Sequence, residues 1–258
     1  MLRSLGYNHS MTRVLRSPAD LTPADLRALY DGFASPIAKL NCGKKCASHN
    51  PNGKPFCCDI CHAVPAAFTS EWTYFKSTTD LWHRYRGDEC DASLNTDAGR
   101  AVPDSDLPSG MVPLACLGPD RCQRDYRALS CRAFPFFPYI TSDYCFLGLA
   151  CEWEFESVCW VISNLNSVTD AYRAQFLRTF DHLLATFDDV FENYAVHSER
   201  MCEHYASRKK RFPMLHRNGQ AYLVSPISET MQRVEVSSLP RFGFYKNPLP
   251  SRNSIGTM

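Results

Sequence analysis

Long apolar runs are missing from this chain. No stretch approaches the roughly 18 apolar residues that a membrane-spanning helix needs, and the most apolar short segment, Phe134–Ile140, is broken by Pro135 and Pro138. The first residues, MLRSLGYNHSMTRVLRS, are basic but carry no apolar h-region, so a secretory signal is not expected. An excess of one charge is also missing. Twenty-eight Lys and Arg face 27 Asp and Glu, for a net charge of +1, which gives no electrostatic case for wholesale binding to nucleic acid or to a membrane surface. There is no G-x-G-x-x-G fingerprint, which argues against a dinucleotide- or S-adenosylmethionine-binding enzyme of the usual kind. Glu-x-x-His pairs, which a di-metal carboxylate site wants, are absent too.

What is present in excess is cysteine. Thirteen occur in 258 residues, at positions 42, 46, 57, 58, 61, 90, 116, 122, 131, 145, 151, 159 and 202. An odd number cannot pair completely within one chain. A chain that is not exported stays in a reducing, cytoplasmic compartment, where disulfides do not persist, so these residues read as metal ligands or reactive thiols. Hydrophobic residues make up 45% of the sequence, enough to bury a core in a chain long enough for one generous domain or two small ones.

The cysteines fall into two blocks. The first is NCGKKCASHNPNGKPFCCDICH over residues 41–62. Its Asn-Pro-Asn-Gly and Lys-Pro pieces predict turns, and it has few apolar neighbours against which a thiol could simply be buried. Cys42 and Cys46 are separated by three residues and Cys58 and Cys61 by two, so single turns supply paired thiolates at little loop-closure cost. Cys57 and Cys58 are adjacent. Their side chains diverge, so one of them serves a second metal or the core. The second block runs from 113 to 160 and places Cys116, Cys122 and Cys131 around turns, followed by Cys145, Cys151 and Cys159. Cys202, inside a helical pattern, and Cys90 read better as buried thiols.

The order Cys42-x3-Cys46, Cys57-Cys58, a helix starting near Glu71, then Cys116-Leu117, Cys122, Tyr126-Arg127 and Cys131-Arg132-Ala133-Phe134-Pro135 resembles the YkgJ-type cysteine-cluster family over about residues 38–160. Members of that family are described as zinc- or iron-chelating, and flagellin lysine methylases contain a similar domain. Ala128 stands where the family usually carries proline. The resemblance implies Cys42, Cys46, Cys57, Cys58, Cys116, Cys122 and Cys131 as the chelating set. Cys61 joins them on spacing, while Cys145, Cys151, Cys159, His49 and His62 are further candidates. Several thiolates around a metal leave net negative charge, which a guanidinium offsets while donating to sulfur. Arg132 is the expected residue for that role, with Arg127 and Tyr126 beside it.

Other signals carry less. Cys58-Asp-Ile-Cys61-His62 matches the c-type haem attachment pattern, but attachment needs export. Completing a radical-type Cys-x3-Cys-x2-Cys motif after Cys46 needs a cysteine at position 49, which is His49. A nucleophilic role for Cys61 beside His62 rests on adjacency alone. Arg208–Arg211 is a basic run at an expected helix C-terminus, where it complements the helix dipole.

The pattern predicts a helix starting at Thr22 and another from Thr69 or Ser70. Helical spacing from Ser167 to about Tyr205 predicts two helices or one strut, and Asn218-Gly219 predicts a hairpin turn. The expected fold is α+β and mainly helical, with an irregular, metal-held cysteine-rich core and a small C-terminal β-hairpin. The expected division is an arm over 1–18, a cysteine-cluster domain over 19–165, a helical region with hairpin over 166–245 packed on it, and a disordered tail over 246–258. The expected function is metal chelation, with an iron–sulfur cluster or Zn²⁺ as cofactor and a redox or metal-handling role. An iron–sulfur or methylase-like protein-modifying enzyme and a structural zinc protein acting on a protein partner are the alternatives.

Overall fold

A computed structural model describes residues 17–90, 107–108 and 110–246. The expected arm through residue 16, most of the loop (91–106) and the tail from 247 lie outside the described residues.

Helix α1 (Pro23–Gly32) starts where the chain supplies a reciprocal cap. Thr22 Oγ1 accepts the Asp25 N–H and the Asp25 carboxylate accepts the Thr22 N–H, with Pro23 at the first helical position. A short helix α2 (Cys42–Ala47) follows, and then strand β1 (Ala66–Phe68), helix α3 (Thr69–Thr78) and strand β2 (Trp82–Arg84). Strand β3 (Met111–Cys116) lies between β1 and β2 in a three-stranded antiparallel sheet. Helix α4 (Leu129–Ala133) leads into the second sheet, whose order is β4 (Phe136–Ile140), β5 (Phe146–Cys151), β6 (Phe212–His216), β7 (Ala221–Val224) and β8 (Met231–Val234). Helices α5 (Asp170–Thr186) and α6 (Asp188–Ser207) are inserted between β5 and β6, and the chain turns sharply from one to the other at Phe187.

This corrects the expected architecture. The Asn218-Gly219 turn does join two strands, β6 and β7, but they are the middle of a five-stranded antiparallel sheet rather than a small terminal hairpin. The reason is visible in β4, where every residue is buried. Phe136 and Ile140 face the main core with Phe176, Phe180 and Leu183 of α5. Phe137 and Tyr139 point the other way, to Met201 and Tyr205 of α6. A strand covered on both faces is apolar throughout and loses the alternation by which strands are recognised. Backbone packing is close here: a Cβ at Gly148 would run into the Leu215 carbonyl and His216 on β6. Among the described residues, no helix is long and apolar enough to cross a membrane.

Candidate metal centre

The first cysteine block is built from two short pieces. Asn41 caps α2 by accepting the Lys44 N–H (3.4 Å), and the helix then carries Cys42 and Cys46 one turn apart on the same face. A 3₁₀ turn over Phe56–Cys58 presents the adjacent thiols, with Cys57 Sγ and Cys58 Sγ 3.9 Å apart. The loop between the two pieces is tied to the buried carboxylate of Asp59. It accepts from Asn50 Nδ2 (2.8 Å), Asn52 Nδ2 (2.9 Å) and the Cys61 N–H (3.2 Å). Burial pushes the Asp59 carboxyl up, but these donors outweigh it and hold it below the ordinary range.

The second block arrives from the small sheet. Cys116 ends β3, Gly118 takes the positive φ (+92°) that turns the chain, and two 3₁₀ turns deliver Cys122 and Arg127. Trp82 Nε1 donates to the Tyr126 carbonyl (2.8 Å) and anchors this loop to β2. Helix α4 then presents Cys131 and Arg132.

Thiols of the two blocks feel one another's charge. Cys116 is pushed up by burial first and then by Cys58 and Cys122. Cys131 is pushed up by burial, Cys116, Cys58 and Cys122. Cys159, 9% exposed, is raised to about 12 by burial, with Cys42 and Cys46 adding to it. Cys57 is held well above the usual thiol value by donating to Cys58, by burial and by the charges of Cys58, Cys159 and Cys46. Cys58 moves the other way, down to about 7. The Cys57 hydrogen bond favours its thiolate first, burial opposes it, and the Arg127 charge assists.

The guanidinium on sulfur belongs to Arg127, whose Nε donates to Cys122 Sγ (3.1 Å). Burial opposes the Arg127 charge, but Cys122, Cys58 and Cys131 together raise its pKa. Arg132, where that contact was expected, is used differently. Its N–H groups donate to the carbonyls of Arg127 (3.0 Å), Tyr30 (3.1 Å), Phe33 (2.9 Å), Arg124 (3.0 Å) and Asp125 (3.0 Å). It therefore clamps the loop that bears Arg127 onto the end of α1.

The remaining sequence candidates are dispersed. Cys61 forms a disulfide with Cys90, with Cα atoms 4.9 Å apart, and is not a free thiol in this state. The expectation of reduced cysteines throughout does not describe that pair. Cys145 is exposed in the β4–β5 turn, and Cys202 on α6 lies 3.8 Å from the Tyr139 hydroxyl of β4. Cys151 is buried, pushed up by burial and by Cys159. The His49 ring stacks on Phe244 (4.5 Å between centroids), and His62 meets Phe56 edge-on (4.9 Å). Tyr126 lines a surface cavity with Leu81, Leu117 and Arg121.

Two features were not anticipated. Glu71, 1% exposed, accepts from Tyr30 Oη (2.8 Å), the Leu129 N–H (2.8 Å) and the Phe68 N–H (2.9 Å), so one carboxylate joins α1, α3 and the start of α4. The segment Phe242–Lys246 roofs the first block. Tyr245 Oη donates to the Val158 carbonyl (3.3 Å), and the acidity of Tyr245 is suppressed first by burial and then by Cys46 and Cys159. Gly243, at φ +50°, abuts the Ser157 backbone, leaving no space for a Cβ.

No family model, curated protein or solved structure significantly matches this chain. The family resemblance therefore rests on the cysteine order itself. Among the described residues, no group of three or more His, Cys, Asp or Glu is placed to hold a metal ion as it stands. The sulfurs are electrostatic neighbours without converging on one point. Their chemistry nevertheless suits a soft cation. A crowd of thiols that raise one another's pKa is relieved when a cation binds and the protons leave.

In metal-free protein, iodoacetamide labelling of Cys58 is expected to rise with pH around a midpoint near 7 and to move upward in Arg127→Gln, because alkylation follows the thiolate. Mass-spectrometric mapping across pH checks this. Onset only in the ordinary thiol range of about 8.5 contradicts it.

Proposed function

We propose that this chain is a metal-chelating cysteine-cluster protein that holds an iron–sulfur cluster or zinc through thiolates drawn from both blocks. The observation that supports the reading is the electrostatic continuity of Cys42, Cys46, Cys57, Cys58, Cys116, Cys122, Cys131 and Cys159, with one guanidinium on sulfur among them. A four-thiolate centre would draw its ligands from among these cysteines, and because ligation would release their protons, affinity would rise with pH. When bound, a cluster supplies one-electron chemistry and zinc supplies a structural crosslink. The residues act around it. Arg127 offsets thiolate charge at Cys122, Arg132 and Glu71 hold the Arg127 and Cys131 segments against α1 and α3, and the Phe242–Lys246 strap limits water at Cys46 and Cys159. The all-sulfur donor set is favoured because His49 and His62 are engaged with aromatic rings.

The test is anaerobic purification followed by metal and sulfide analysis and an absorption spectrum. Brown protein absorbing broadly near about 400 nm with iron and sulfide identifies a cluster, and colourless protein with stoichiometric zinc identifies the structural form. The reading is withdrawn if neither metal copurifies or binds on reconstitution and native alkylation labels all these thiols readily.

A further inference from the structure

We propose that the face formed by α2, the turn that follows it and the Phe242–Lys246 strap binds single-stranded nucleic acid. Lysines and an arginine meet the phosphates, and the exposed Phe244 ring stacks on a base. The inference does not depend on whether the neighbouring thiols hold zinc, a cluster or no metal.

The whole-chain charge of +1 conceals a local excess. Residues 32–58 contain Lys39, Lys44, Lys45 and Lys54 and no Asp or Glu, and residues 236–246 contain Arg241 and Lys246 and again no acid. All six cations are exposed. Among the described residues, none of the six pairs with a carboxylate. Asp59, the next acid along the chain after Lys54, is buried and accepts from Asn50, Asn52 and Cys61 instead. The two segments meet at His49. Lys44 and Lys45 stand on α2 just before it, and the Lys54 carbonyl closes the turn just after it by accepting from Asn50 Nδ2 (3.0 Å). The His49 ring touches both Phe244 and Tyr245, so Arg241 and Lys246 lie within three residues of the contact.

The second feature is a planar platform. His49 and Phe244 are nearly parallel, with centroids 4.5 Å apart and planes 5° from coincident, and Tyr245 meets His49 edge-on at 5.4 Å. Phe244 nevertheless remains 54% exposed. With one face covered by His49, its exposed surface is the other face and the ring edge, and one more planar group extends the stack. Cations beside an exposed aromatic ring are the combination that holds single strands without sequence preference. In a duplex the bases are already stacked on one another, so charge alone is left to act. A bilayer is a poorer match, because Phe244 lies flat against His49 rather than projecting as an apolar wedge. An acidic protein segment satisfies the charge but brings no planar group that the ring requires.

The test is fluorescence anisotropy of labelled oligothymidylate and oligouridylate, each about 12 nucleotides long, titrated with the full-length protein as purified. Saturable binding is expected. Six phosphate contacts at about 0.7 apiece give log K a slope of about −4 against log salt. Lys44→Gln combined with Lys45→Gln should bring the slope to about −3. Phe244→Ala should weaken binding about five- to hundred-fold at an unchanged slope, and Phe244→Trp should retain it. Tighter binding of oligouridylate assigns the face to RNA, and tighter binding of oligothymidylate assigns it to DNA. If Phe244→Ala fails to fold by circular dichroism, the slope of the lysine pair decides. No saturable binding at about 50 mM salt, an unchanged slope in the lysine pair or wild-type affinity in folded Phe244→Ala overturns the inference. So does tighter binding of a polyglutamate peptide or of phosphatidylserine vesicles. Metal analysis of the same preparation is a separate readout: binding by metal-free protein leaves this inference standing while metal chelation falls.

Discussion

Replacing Glu71 by alanine is expected to lower the unfolding free energy by about 3–5 kcal/mol, because three donors lose their acceptor at a residue only 1% exposed. The Tyr30 hydroxyl, the Phe68 N–H and the Leu129 N–H all point at one buried carboxylate, and each belongs to a different helix or helix start. Urea denaturation followed by circular dichroism measures the loss, and a change below about 1 kcal/mol means that the site rehydrates. Glu71→Gln keeps the shape and an acceptor oxygen but turns an amide N–H₂ toward a donor, so its loss is smaller.

The same pair of variants reads pH dependence. Burial raises the Glu71 carboxyl above its ordinary 4.5, against the pull of its hydrogen-bond donors and Arg132. A raised folded-state value means that the native state binds this proton more tightly than the unfolded chain does. This group's contribution is therefore fully present below the ordinary carboxylate range and is lost as pH climbs through the raised value. Wild-type stability should show that decline and Glu71→Gln should lack it.

Phe176→Ala should cost about 3–5 kcal/mol by a different route, the transfer and cavity cost of a buried ring. Phe176 is fully buried on α5, tilted against Phe180 at 4.4 Å and edge-on to Phe33 at 6.0 Å. Phe33 ends α1, and its carbonyl accepts from Arg132, so this ring connects the α5 face of the second sheet to the clamp above the cysteines. Thermal and urea unfolding should report the full loss. A fully folded variant that loses less than about 1 kcal/mol shows that its neighbours collapse into the space.

How far the sequence could be read depended on whether a residue's role was local. The Thr22/Asp25 cap and the Asn218-Gly219 turn are spelled out within a few residues and could be located. Strands β4 and β5 could not, because Phe136–Ile140 and Phe146–Cys151 are covered by helices that come later in the chain, and their cysteines and prolines draw the eye to ligation or breakage instead. The same limit separates the two arginines. Arg127 and Arg132 lie five residues apart in one loop, and only the fold shows that the first meets sulfur while the second meets carbonyls. Glu71 gave no signal beyond being an acid in the first turn of a helix.

The thiols at 42–58 have neighbours at 116–131 and 159, under a roof formed by residues 242–246. During synthesis the early cysteines therefore emerge from the ribosome well before the partners that surround them. On the proposed reading, a metal offered to the nascent chain would meet an incomplete set of thiols, and loading would belong to a stage after residue 246 has been translated. A chain stalled before that point would carry the early cysteines without the thiols at 116–131 and 159 that neighbour them in the folded protein.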